Sequence, residues 1–247
     1  MAVTEMRGAG FSIGRVAERT ISVFVRNLPA FIPLAVLAAL PSFLLNSLFL
    51  AWAANPVENL FDLTGTLMFV GGILASVLGF SILQAGIIHG TLAELNGRRA
   101  SFSECFSVGL TEFFPVLGIG ILSTLGILVG FMFFIIPGAI LALMWAVAIP
   151  VYVVEHRDVL ECFARSSELS RGYRWQIFGL FLVYMVLAIA FGISITLVGL
   201  LIGPLLTNAI SNVITVPIAA SGIAAIYYEL RFAKEGIGPE ALAAVFD

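Results

Sequence analysis

Six apolar segments, none of which contains Asp, Glu, Lys or Arg, constrain the fold of this 247-residue chain more than any other feature. They cover residues 28–53, 64–90, 113–136, 138–154, 176–202 and 205–228. A helix of roughly 20 residues crosses the hydrocarbon core of a bilayer. Only 11% of the residues are charged, against about a quarter in an ordinary soluble domain. The sequence therefore predicts an all-α, polytopic membrane protein that forms a single domain over residues 1–247.

Short connections pair these segments into three hairpins. The third and fourth segments are separated only by Pro137, and the fifth and sixth only by Gly203 and Pro204. The first two are joined by residues 54–63, in which Asn55-Pro56 is a turn signal. Each pair is therefore expected to cross the membrane and return.

The basic residues decide the predicted orientation, because Lys and Arg in short loops are retained in the cytoplasm. The hairpin topology puts all twelve on one side, at positions 7, 15, 19, 26, 98, 99, 157, 165, 171, 174, 231 and 234. Glu58 and Asp62 are the charged residues of the opposite side. We expect both termini, residues 1–27 and 229–247, to be cytoplasmic and no removable signal peptide to be present.

Three segments on the basic side have the apolar periodicity of amphipathic helices: residues 13–28, 101–110 and 158–171. In the first, the arginines share one face, which we expect to meet anionic lipid headgroups at the cytoplasmic surface. Ser101 with Glu104 forms a capping box, and Asp158 with Glu161 repeats this spacing. These patterns predict helices that lie in the plane of the membrane.

The order of these elements predicts a threefold internal repeat, in which an amphipathic helix precedes a span out and a span back. The tripeptide Glu-Cys-Phe occurs at matching places, residues 104–106 and 161–163. Three glutamates also match, because each lies where a returning span reaches the basic side: Glu94, Glu155 and Glu229.

Two groups of polar residues are candidate functional sites. In the sixth span a polar stripe is predicted on one helix face by Asn208, Ser211, Asn212 and Thr215. Interhelical hydrogen bonding is its default explanation, and the lining of a substrate passage is the alternative. A charge cluster is formed by Glu94, Glu155, Glu229, Arg98, Arg157 and Arg231. Local pairing of each glutamate with the nearest arginine is the favoured interpretation, and a cluster shared between hairpins is the alternative.

Several function classes are disfavoured. Transport coupled to protons or ions usually needs ionisable groups at membrane depth, and the six segments contain no Asp, Glu, Lys or Arg. His89 and His156 do not have the spacing of a zinc motif. We expect no cofactor, no metal, no catalytic residues and no nucleic-acid partner.

Two stretches resemble a bacterial family of six-span proteins that includes the membrane domain fused to some glycerophosphodiester phosphodiesterases. The first runs from Ala148-Ile149-Pro150 through Arg165 to Trp175, and the second is Ile226-Tyr227-Tyr228-Glu229-Leu230-Arg231 with Glu235-Gly236. The resemblance covers about residues 145–236. It implies a location in the bacterial inner membrane and a membrane domain that is not an enzyme, because in the fused members catalysis belongs to a separate soluble barrel.

The leading hypothesis is therefore a non-catalytic membrane domain that acts as a scaffold or handles lipid. A small uncoupled permease or channel is the rival, and an intramembrane enzyme is third. A polar, water-accessible cavity between hairpins favours the permease, whereas an apolar groove open to lipid favours lipid handling. Membrane lipids are the expected partners, and a protein partner or a second copy of the chain stays open.

Overall fold

The computed structural model of the protein describes residues 11–54 and 63–236, which contain ten helices and no strand. In chain order the helices are α1 (Ile13–Arg26), α2 (Leu28–Ala53), α3 (Leu63–Leu95), α4 (Phe102–Thr111), α5 (Phe113–Phe133), α6 (Ile135–Met144), α7 (Ala148–Glu155), α8 (Val159–Ser170), α9 (Arg174–Ile202) and α10 (Pro204–Glu235). Six stretches are long and apolar enough to cross a membrane: α2, α3, α5, α6 with α7, α9 and α10. The all-α, six-span prediction is confirmed. Arg7, the predicted Asn55-Pro56 turn, Glu58, Asp62 and the tail beyond residue 236 lie outside the described residues.

The predicted turn in the second hairpin is wrong by three residues. Helix α5 ends at Phe133, and the chain turns at Phe134, whose backbone is extended (φ −164°, ψ 159°). Pro137 lies inside the first turn of α6, where its missing N–H costs no hydrogen bond. In the third hairpin the turn is where it was predicted, at Gly203, which adopts the positive φ of +85° that glycine tolerates.

The fourth span is broken, although the sequence predicted one continuous helix over residues 138–154. Residues 145–147 separate α6 from α7. The hydroxyl of Ser166, which is buried on α8, donates to the carbonyl of Met144 at 2.7 Å and accepts from the N–H of Val147 at 3.3 Å. A side chain from another helix thus bonds the backbone groups that the break leaves without a helical partner. Buried backbone N–H and C=O groups need such partners.

The three amphipathic segments are helical, as predicted: they form α1, α4 and α8. The Ser101 hydroxyl accepts from the backbone N–H of Glu104 at 3.2 Å, which confirms the cap of α4. Asp158 precedes α8, but its side chain makes no capping hydrogen bond, so that part of the prediction is wrong.

Each amphipathic helix packs against a returning span. Helix α4 packs on α3, α8 on α7, and α1 on α10. The first two contacts join neighbours in the chain, whereas the third joins the two ends of the described chain and closes the bundle. The predicted threefold order of elements is therefore present, with α1 paired to the last repeat.

The apolar face that the sequence pattern predicts for α1 includes Val16 and Ile21. Val16 is buried on the bundle, whereas Ile21 is exposed. The residues buried on the bundle are Val16, Thr20 and Val23, and the Thr20 hydroxyl bonds the Tyr184 hydroxyl of α9 at 2.7 Å. Thr20 can be buried on this face because the Tyr184 hydroxyl on another helix satisfies its hydroxyl.

The packed core lies at one end of the bundle, which we call the charged end because it carries the arginines of α1 and α8 and of the segments next to α4 and α8. The opposite end is the far end. The largest fully buried side chains all lie in the charged half of the chain's helices: Phe31, Leu34, Ile87, Ile88, Leu92, Ile119, Leu169, Ile177, Leu180, Ile226, Tyr227 and Leu230. Toward the far end, large apolar side chains such as Leu48, Met132 and Leu201 are exposed. In a membrane this surface faces lipid or another apolar partner.

Candidate functional site

A buried carboxylate anchors α1 to the last span. Glu229 lies on α10, and only 1% of its side chain is exposed. Arg15 donates to its Oε1 from Nη2 at 2.5 Å and from Nε at 2.8 Å, and Arg19 pairs with Oε2. Arg15 and Arg19 are one helical turn apart on α1, so both reach the same carboxylate. The two arginines expected to face lipid headgroups therefore point toward the bundle instead.

A second carboxylate, Glu155 at the end of α7, joins three helices. It pairs with Arg157 at 2.7 Å and with Arg165 of α8 at 3.2 Å, and it accepts from the Tyr227 hydroxyl of α10 at 3.1 Å. Arg165 also pairs with Glu235 of α10. The carboxylates raise the pKa of the Arg165 guanidinium against the opposing effect of burial, so this cation stays charged.

Arg231 completes this network on α10. It donates to Glu235 at 2.8 Å and to the Tyr227 hydroxyl at 3.2 Å. Glu235 therefore pairs with Arg165 of α8 and with Arg231 of its own helix. The network ties the two last repeats together at the charged end.

The third carboxylate, Glu94 on α3, is only weakly paired. Arg26 lies 3.7 Å away and Arg99 4.0 Å away. Arg98 instead pairs at 2.7 Å with Glu104 on α4, which also bonds His89 at 3.0 Å. Burial by itself would raise the pKa of Glu104, but the hydrogen bonds with Arg98 and His89 outweigh it, and the pKa lies below its usual value.

The favoured local-pairing interpretation is therefore wrong for two of the three glutamates. It holds for Glu155 with Arg157, whereas Glu94 does not pair with Arg98 and Glu229 does not pair with Arg231. Tertiary packing supplies other cations, so the geometry is that of a cluster shared between hairpins. The spacing of Arg15 and Arg19 was the available signal, since two cations one turn apart can hold one buried carboxylate.

The second candidate site is a cavity of about 600 Å³ among the spans. Helices α2, α3, α5 and α10 line it, and most of its wall is apolar. It lies on the far-end side of the packed core, beside Leu83 and Val116. Its volume falls within the range of about 300–1,000 Å³ that is usual for small-ligand pockets.

Polar side chains interrupt this apolar wall at six places: Ser42, Ser76, Ser81, Gln84, Thr124 and Asn212. The four hydroxyls donate to backbone carbonyls of their own helices at 2.8–2.9 Å. Within the described residues, neither amide, Gln84 nor Asn212, hydrogen-bonds to a protein group. These two amides are therefore the polar groups that the cavity presents to a ligand.

The predicted stripe of the sixth span is divided. Both asparagines are exposed, but Asn212 borders the cavity, whereas Asn208 does not and donates to the Pro204 carbonyl of its own helix at 3.1 Å. Ser211 is half-buried and accepts, through its carbonyl, from the Thr215 hydroxyl at 2.8 Å. In the described ranges none of the four side chains bonds a neighbouring span, so the expected interhelical hydrogen bonds are not made.

Reactive groups are scarce among the described residues. Cys105 and Cys162 are buried, and burial raises the pKa of each thiol to about 11, so both are unreactive at neutral pH. No group of three or more His, Cys, Asp and Glu in residues 11–54 and 63–236 is arranged to hold a metal ion.

No family model, curated protein or solved structure matches the chain. The resemblance to the six-span bacterial family therefore stays a prediction that rests on the motifs alone.

Proposed function

We propose that this protein is a non-catalytic membrane protein that handles lipid, and that the cavity between α2, α3, α5 and α10 holds an apolar chain. The observation that carries the proposal is the wall of this cavity, which is mostly apolar and contains no Asp, Glu, Lys or Arg. A hydrocarbon chain fits such a wall without the cost of burying an unpaired charge.

The location proposed for this function is the bacterial cytoplasmic membrane, with the charged end in the cytoplasm. Arginines that remain exposed there, such as Arg26, Arg99 and Arg157, are available to anionic headgroups. Single cysteines at Glu58 and at the exposed Glu168 test the orientation in intact cells. An impermeant maleimide should label the first and not the second, and the wild-type chain, whose own thiols are buried, is the blank. The reverse labelling would contradict the orientation.

Filling the cavity tests lipid handling directly. Gly120 of α5 lines the cavity, and a side chain added there meets no atom within 4 Å. Gly118 of the same helix is equally open but does not line the cavity, so it provides a matched control. Both substitutions to Phe replace a helical glycine and should change helix propensity equally.

The readout is photocrosslinking of a lipid that carries a diazirine in its acyl chain, with the modified residues located by mass spectrometry. Wild type and Gly118→Phe should crosslink at cavity residues, and Gly120→Phe should lose most of that signal. Equal crosslinking of the two variants, or crosslinks only on the exposed outer surface, would contradict the proposal.

A small uncoupled permease is the second candidate, and the amides of Gln84 and Asn212 in the cavity favour it. Flux of small polar solutes into proteoliposomes separates the two functions. Flux that Asn212→Leu abolishes, together with the absence of acyl crosslinks, would favour the permease.

A further inference from the structure

The two cavity amides lie at a similar depth on neighbouring, parallel spans. Thr91 of α3 donates to Ser221 of α10 at 3.1 Å, which sets the register of the two helices. Gln84 precedes Thr91 by seven residues and Asn212 precedes Ser221 by nine, or about 10 and 13 Å along the helix axes. The amides therefore differ in depth by only about 3 Å.

The Gln84 side chain makes no hydrogen bond to protein within the described residues, and its amide atoms are accessible from the cavity. The residue as a whole is only 8% exposed, and the cavity wall is mostly apolar. Buried side-chain polar groups are nearly always hydrogen-bonded to protein or to ordered water. Asn212, an exposed residue on the neighbouring helix, borders the same cavity at a similar depth, so amides from two helices face one mostly apolar site.

The depth of this position limits the chemistry of its ligand. Gln84 precedes Glu94 by ten residues, which is about 15 Å of helix and close to half the thickness of the hydrocarbon core. The cavity wall offers no charged side chain to neutralise an ion at this depth. A phosphate would have to leave the interface and lose its hydration there without a counterion.

We propose that the cavity selects an uncharged lipid, one with a carbonyl or hydroxyl that Gln84 and Asn212 bind between them while its chain fills the apolar wall. An amide both donates and accepts, so either oxygen group satisfies it. Diacylglycerols, long-chain alcohols and isoprenoid quinones belong to this class, and intact phospholipids do not. This inference rests on the proposed lipid-handling function and narrows its substrate class.

Competition against the diazirine lipid tests the selectivity. The competitors are dioctanoylglycerol, dioctanoylphosphatidylglycerol and hexadecane, which share an apolar chain and differ in their polar group. In wild type, dioctanoylglycerol should compete best. Gln84→Leu and Asn212→Leu should each weaken competition by dioctanoylglycerol by roughly three- to tenfold, which is the effect of one lost hydrogen bond. Competition by hexadecane should stay unchanged.

Asn208→Leu is the matched control, because Asn208 lies one turn from Asn212 on the same helix but bonds its own backbone outside the cavity. It should behave as wild type. The thermal unfolding of each variant in detergent shows whether it folds, and Gln84→Leu should unfold no earlier than wild type because the Gln84 amide makes no hydrogen bond to protein within the described residues.

Equal competition by dioctanoylglycerol and hexadecane in wild type would overturn the inference and would indicate that water satisfies the amides. Preferential competition by the phosphatidylglycerol would overturn it as well. In both cases the Gly120→Phe result still stands, so the proposed function survives. If the diazirine lipid does not crosslink to cavity residues of the wild type, both the proposed function and this inference are contradicted.

Discussion

The spans are apolar both in the half of the bundle at the charged end, the charged half, and in the half at the far end, the far half, but the two halves pack differently. Helix α2 shows the contrast within one element, since Leu34 is 0% exposed and Leu48 is 51% exposed. In a soluble protein burial follows hydrophobicity, but lipid is as apolar as leucine and does not drive helices together. The helices associate where they carry something that lipid cannot satisfy: ion pairs, buried hydroxyls and a backbone break.

These groups are concentrated in the charged half. Glu229 with its two arginines, Glu155 with Arg165, and Ser166 at the break in the fourth span all lie there. Beyond this layer the helices have fewer such contacts, and the cavity lies at the boundary between the two regions. The packed half therefore supports the spans, and the cavity lies where their packing is looser.

The largest effect is expected from Arg15→Gln combined with Arg19→Gln. The change leaves the Glu229 carboxylate buried without its cations, which should lower the free energy of unfolding by about 3–5 kcal/mol. Thermal unfolding in detergent measures this loss, and hydrogen exchange should show α1 deprotected. Adding Glu229→Gln should recover part of the stability because it removes the unpaired charge.

The control for this prediction is Arg26→Gln combined with Arg99→Gln, which removes the same charge from the partners of Glu94. These pairs are long and their arginines are exposed, so the loss should stay below about 1 kcal/mol. Equal losses from the two double variants would show that net charge, and not the buried contact, holds the charged half together.

The contrast within α2 is tested by truncating one leucine in each half. Leu34→Ala should cost about 2–5 kcal/mol because it leaves a cavity in packed protein. Leu48→Ala should change stability by less than about 0.5 kcal/mol, since lipid fills the lost volume. Unfolding of both variants in the same micelle gives the comparison, and a costly Leu48→Ala would mean that the far half packs against a partner.

A smaller loss is expected from Ser166→Ala. The change leaves the Met144 carbonyl and the Val147 N–H without their hydrogen bonds, at a cost of about 1–3 kcal/mol. Hydrogen exchange should accelerate at residues 145–147. The half-buried neighbour Ser167, substituted in the same way, should have little effect. No difference between the two serines would contradict the assigned role of Ser166.

The smallest effect concerns pH at α4. Because the pKa of Glu104 is lowered in the folded protein, its stabilising contribution is present above the unfolded pKa of about 4.3 and is lost as the pH falls through the lower, folded value. The side chain is partly exposed, so the contribution should be under about 1 kcal/mol. The difference in stability between wild type and Glu104→Gln should shrink across this acidic window. A stability difference that does not change with pH would contradict the conclusion that Arg98 and His89 lower the pKa of Glu104.

Local signals in the sequence determined much of the fold. Apolar segments without charge predicted the six spans, Gly203 marked the last turn, and Ser101 with Glu104 marked the start of α4. Each of these depends on residues close together in the chain. The turn at Phe134 shows the limit of such signals, because Pro137 is compatible both with a turn and with the first turn of a helix.

Only the tertiary structure decided the partners of the charged residues and the place of the cavity. Arg15 and Glu229 are 214 positions apart, and the sequence around Glu229 favours Arg231, two residues away, as its partner. The polar residues of the sixth span were found from the sequence, but Asn212 differs from Asn208 only in what the neighbouring helices leave beside it. The physical reason is that the apolar windows of the spans show that these helices suit a membrane, but not which of their faces meet each other or surround a space.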